Sequence, residues 1–135
     1  MKNLAIHPNQ WRAFCEAFTE LNRGTLMSVD LHHFDNRRDE VVRDGVFQEM
    51  ILNHDVCSDY LTLRFGQEGE MLTEHVVIEP IHIRIKQSED GQKILQIEAE
   101  NGITLVNFHS GRLPVNQFES EFKDFKETCE IAASS

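Results

Sequence analysis

The chain has 135 residues, 40% hydrophobic and 27% charged, with 23 Asp and Glu against 13 Lys and Arg for a formal net charge of −10. That length suits one domain with its own core, and the negative excess repels phosphate, which argues against nucleic acid; the one compact basic pair, Arg37-Arg38, is flanked by Asp35, Asp39 and Glu40. Cys15, Cys57 and Cys129 lack metal-ligand spacing and read as reduced thiols, and with no leader-like start and no apolar run of membrane-spanning length, a soluble cytoplasmic protein is expected.

From Pro8 to Asn22 the residues Trp11, Phe14, Cys15, Phe18 and Leu21 recur at helical spacing, with Pro8 suited to a first turn and Gly24 to a terminus. This predicts an N-terminal amphipathic helix. Met27, Val29 and Leu31 then alternate with polar residues, which predicts a strand over Thr25 to His32. His33 to Asp44 is crowded with charge and reads as a solvated loop or frayed strand extension ending at Gly45. Strands follow at Val46 to Asn53, Cys57 to Phe65 and Met71 to Ile78, separated by His54-Asp55 and by the glycine-flanked turn at Gly66 to Gly69. Pro80 interrupts the ladder, so the chain bends and continues from Ile81 to Lys86.

Three period-two series come next: Ile81/Ile83/Ile85, Leu95/Ile97/Ala99 and Thr104/Val106/Phe108. A three-residue loop with Gly91 in the left-handed region places Ile85 by Leu95 and Ile83 by Ile97. A two-residue turn at Asn101-Gly102 places Ala99 by Thr104, Ile97 by Val106 and Leu95 by Phe108. Beyond them Phe118, Phe122, Phe125 and Cys129 form one stripe of a second, C-terminal amphipathic helix. The expected fold is a single α+β domain over residues 1–135: a curved antiparallel sheet of six or seven strands, as a meander or partly open barrel, with one helix at each end of the chain.

Trp11-x-x-Phe14-x-x-x-Phe18, Arg23-Gly24, Leu72-Thr73-Glu74-His75-x-x-x-x-Pro80, Leu95-x-Ile97 and Gly102-x-Thr104-x-x-x-Phe108 follow in this order. The arrangement resembles a family of small uncharacterised bacterial proteins, a domain of unknown function, over about residues 9 to 109. The resemblance implies a compact helix-plus-sheet domain and supplies no activity, cofactor or partner.

Seven histidines raise the question of a metal. In the predicted register His82 lies opposite Glu98 on the face away from the core, while His109 pairs with Ile94, too far away to share an ion with His82; a solvated charge pair is the plainer reading. His32 and His33 point to opposite faces of a strand and converge with Asp35 only if the strand ends between them. No metal site and no cofactor is expected. His75 shares a strand face with Thr73, Val77 and Glu79, so a pocket at the Pro80 bend would make His75 and Glu79 an acid-base pair only if the bend folds Glu79 back. Nothing resembles a nucleophile elbow or a glycine-rich phosphate loop. The remaining candidates are aromatic anchors for an interaction, Phe118, Phe122 and Phe125, together with Ile103 and Leu105 on the outer sheet face, which call for apolar cover from a helix or a second subunit. The expected role is a non-catalytic protein-interaction or small-ligand-binding module, forming a homodimer and binding neither nucleic acid nor membrane; the alternative is a small enzyme using His75 with Glu79.

Overall fold

The computed structural model describes residues 2–67, 69, 71–87, 93–100 and 102–108. Strand β1 (Lys2–Ile6) leads through a 3-10 turn at Pro8–Gln10 into helix α1 (Trp11–Asn22). There follow β2 (Leu26–His33), β3 (Arg38–His54), β4 (Asp59–Phe65), β5 (Thr73–Ile78), β6 (Pro80–Gln87), β7 (Lys93–Ala99) and β8 (Gly102–Phe108). Neighbours in the sheet are antiparallel, in the order β1-β6-β7-β8-β2-β3-β4-β5.

Two irregularities make this sheet curl. The first lies in β3, whose early residues pair with β2 as far as Val46 and whose later residues pair with β4 from Phe47 onward. Between them Asp44 adopts a φ of 48°, and Gly45 sits where a Cβ would come within 2.5 Å of Val42 Cγ1, so the strand bends where a side chain cannot fit. The second is the corner at Glu79, with a φ of 52°, whose N–H donates to the Asp59 carbonyl at 2.8 Å and closes the β4/β5 ladder just before β6 departs along the far part of the sheet. As a result β5 lies across the interior from β8, and His75 reaches Thr104.

The core fills the space so enclosed. Alternate residues of each strand enter it, among them Met27, Val29, Leu61, Leu63, Ile83, Ile85, Leu95, Ile97 and Val106, all buried. Helix α1 contributes Phe14 and Phe18; Phe18 meets Phe47 and Phe108 edge-on at centroid distances of 5.3 and 5.5 Å, and Phe47 meets Phe65 at 5.9 Å. Such tilted pairs each contribute about 0.5–1.5 kcal/mol beyond the burial of their area. The helix is fixed at its start by the Trp11 indole N–H, which donates to the Ile6 carbonyl at 2.9 Å, and near its end by buried Asn22, whose amide donates to the Phe18 carbonyl at 3.0 Å. Leu21, expected on the apolar stripe, is 43% exposed.

The antiparallel α+β architecture agrees with the sequence, and the strand count does not: eight strands replace six or seven. Lys2–Ile6 is too short to announce itself by alternation, yet Leu4 and Ile6 pair with Ile85 and Ile83 and complete that edge. The charged stretch after Arg38 is strand because β2 supplies its ladder, while Arg38 pairs with Asp30 at 3.0 Å and Asp39 with His33 at 2.7 Å outside the core. One α-helix stands among the described residues, and the predicted C-terminal helix lies outside them.

The meander is present with one correction. Ile85 faces Leu95 and Ile83 faces Ile97 as predicted, but Val106 faces Leu95 rather than Ile97, and Ala99 faces Gly102 rather than Thr104. Gly102 therefore belongs to the ladder and not to the turn. Only glycine fits there, since a Cβ on Gly102 would lie 2.5 Å from the His32 carbonyl oxygen of neighbouring β2. The shift is by an even number of residues, so each row keeps its face and Ile83, Ile97 and Val106 stay buried together.

Candidate functional site

The later half of β3 has β4 on one side and no strand on the other, because β2 ends its pairing at Leu26. In an antiparallel ladder alternate residues turn their N–H and C=O toward one neighbour or the other. Those of Phe47 turn away from β4: its N–H donates to the Thr25 carbonyl, and its carbonyl accepts from the Gly24 N–H, both at 2.8 Å. One step on, the Gln48 carbonyl accepts from Arg23 Nε at 3.0 Å. Next, the Thr19 hydroxyl accepts the Met50 N–H at 2.9 Å and donates to the Met50 carbonyl at 3.2 Å. The segment after α1 and the helix itself thus stand in for a missing strand, Gly24, Thr25 and Arg23 serving Phe47 and Gln48, and Thr19 of the helix serving Met50.

The substitution ends at Met50. By the same alternation Leu52 turns its N–H and C=O to this open side, and among the described residues no loop or helix group bonds them. Here the helix and β3 diverge into a groove of about 650 Å³, between Arg12, Cys15, Glu16 and Thr19 of α1 and Met50 to His54 of β3. Its floor includes Cys15 and Met50, both buried, and its rim carries charges of both signs, with Arg12 and Arg23 beside Glu16 and Glu20. Burial pushes the Cys15 thiol up to about 12, so it stays neutral near pH 7 and is a poor nucleophile. The groove therefore offers backbone hydrogen-bonding groups and apolar contact on its floor, with charged side chains at its rim. Sequence reasoning missed it, since nothing in local periodicity says that Thr19 will meet Met50.

The predicted residues sit elsewhere. His75 on β5 points inward and its Nε2 lies 3.0 Å from the hydroxyl of buried Thr104, while burial holds its pKa below the usual histidine value. Glu79 is exposed at the corner, and among the described residues no hydrogen bond or ion pair joins it to His75. His82 does face Glu98, with Nε2 3.8 Å from a carboxylate oxygen. His33 is taken by Asp39, Asp35 by Arg37, and His54 by Asp59 at 2.6 Å, and no group of three or more metal-ligating side chains occurs among the described residues. Arg64 lies between Glu49 and Glu74 on the outer face of β3, β4 and β5, and these carboxylates raise its pKa further.

Ile103 and Leu105 are half-buried on the outer face, whereas α1 packs against the opposite, Phe108-bearing face, so the helix is not their cover. Phe118, Phe122 and Phe125 lie outside the described residues. No helix among the described residues is long and apolar enough to cross a membrane. Comparison of the chain with family profiles, curated proteins and solved structures finds no match.

Proposed function

We propose that this domain is a non-catalytic protein-interaction module whose acceptor is the groove between α1 and the later half of β3. The observation that carries the reading is the point at which α1 stops satisfying the β3 edge: Thr19 serves Met50, and nothing among the described residues serves Leu52. An open strand edge beside a concave wall suits an extended main chain, which adds itself as a strand through backbone hydrogen bonds while alternate side chains enter the groove. The neutral Cys15 and the mixed charge of the rim favour an extended segment with an apolar side chain at its centre over a strongly charged ligand. This reading is preferred to acid-base catalysis by His75 and Glu79 because the His75 ring is directed at a buried threonine hydroxyl.

The test is to pan a displayed library of random extended peptides on the full chain and to map the winners by amide hydrogen exchange. Slowed exchange at Leu52, with Ile51 and Asn53 unchanged, is the expected result. Selected peptides that protect another surface, or the failure to select any, would overturn the reading.

A further inference from the structure

Of the nine large apolar side chains left exposed among the described residues, five fall between residues 71 and 81: Met71, Leu72, Val76, Ile78 and Ile81. They cluster on and around β5, the last strand of the sheet. The bond from the Glu79 N–H to the Asp59 carbonyl sets the alternation on this strand, so Thr73, His75 and Val77 bond to β4 while Glu74, Val76 and Ile78 turn their backbone groups outward. Natural edge strands are protected by lysine, by proline, by a bulge or by being very short. β5 has no lysine, no proline and an unbroken register over its six residues. Its one charged side chain, Glu74, is drawn back onto its own sheet by Arg64 at 2.9 Å.

We infer that β5 is the docking edge for a second copy of this chain, joined antiparallel about a twofold axis through Val76. A second copy fits because the edge is complementary to itself. With Val76 opposite its own counterpart, the apolar centres of the two strands meet and each Glu74, held by its own Arg64, falls opposite an Ile78, so no like charges oppose one another. Extending the register brings Met71 and Leu72 of one copy toward the Pro80 corner and Ile81 of the other, which accounts for exposed apolar residues on both sides of the strand. The net charge of −10 on each copy acts against association at long range, and salt screens that repulsion beyond about 8 Å at physiological ionic strength, so the dimer strengthens as salt is raised. Self-association through β5 is independent of what the α1/β3 groove binds.

Sedimentation equilibrium of the full chain near 0.15 M salt tests it. The expected result is a reversible dimer of twice 15.6 kDa, with the Val76 and Ile78 amides exchanging more slowly as concentration rises and those of His75 and Val77 slow throughout. Val76→Lys raises the dissociation constant at least tenfold with the far-ultraviolet spectrum and a single cooperative melting transition retained, and Ile78→Lys does the same should the first variant fold poorly. A monomer at every concentration, or a dimer that survives both substitutions, overturns the inference. Peptide protection at Leu52 is read separately, so either result stands without the other.

Discussion

The two halves of β3 share one backbone and differ in what stands on the side that faces β2. The earlier half has β2 there, and its charged side chains, Arg38 and Asp39, are free to form surface pairs with Asp30 and His33. The later half has α1 and the residue that ends it: Arg23 reaches Gln48, Thr19 of the helix reaches Met50, and neither reaches Leu52. A strand neighbour offers a run of backbone partners, broken here only by the irregularities around Val29; a helix satisfies only those groups that its side chains can reach. On the proposed function, that difference places the acceptor edge in the later half.

The largest effect belongs to Phe47, fully buried where the halves meet and flanked by Phe18 and Phe65. Phe47→Ala is expected to cost about 3–5 kcal/mol in denaturant unfolding, a loss that removes both halves together. Thr19→Val comes next. It keeps the shape of the side chain and withdraws the hydroxyl from Met50, so about 1–3 kcal/mol is expected, with most of it recovered in Thr19→Ser. Arg38→Ala probes the earlier half and should cost no more than about 1 kcal/mol, since the ladder there does not depend on the exposed ion pair. Equal costs for Thr19→Val and Arg38→Ala would break the comparison.

The mildest effect is one of pH. Burial lowers the His75 pKa in the folded state, so on acidification the unfolded chain takes up that proton first. The stabilisation is fully present above the unfolded value near 6.5 and is lost as the pH falls from there toward the folded value. A series of unfolding curves from pH 7.5 to 5 should show this decline in the native chain and a shallower one in His75→Gln.

Much of the framework was legible in the chain. Ile83 opposite Ile97 is readable from the alternation of its two strands, though the Gly91 loop expected to set it lies outside the described residues, and Trp11, Phe14 and Phe18 declare the buried face of α1, because both are local patterns of period two or 3.6. What escaped depends on contacts distant in sequence. Gly102 read as a turn residue, and its place in the ladder beside the His32 carbonyl depends on β2; His33 to Asp44 read as a solvated loop or a frayed strand extension because charge hid a strand that starts at Arg38 and whose partner is β2. The groove was least legible, being made by a hydroxyl in a helix meeting a peptide group 31 residues away.

Residue-resolved amide exchange along β3 of the full chain, without any added peptide, bears most directly on the half-covered edge. Met50 should exchange slowly under Thr19, Ile51 and Asn53 slowly in the β4 ladder, and Leu52 between them quickly. Leu52 protected as strongly as its two neighbours would contradict the open edge and, with it, the groove as an acceptor.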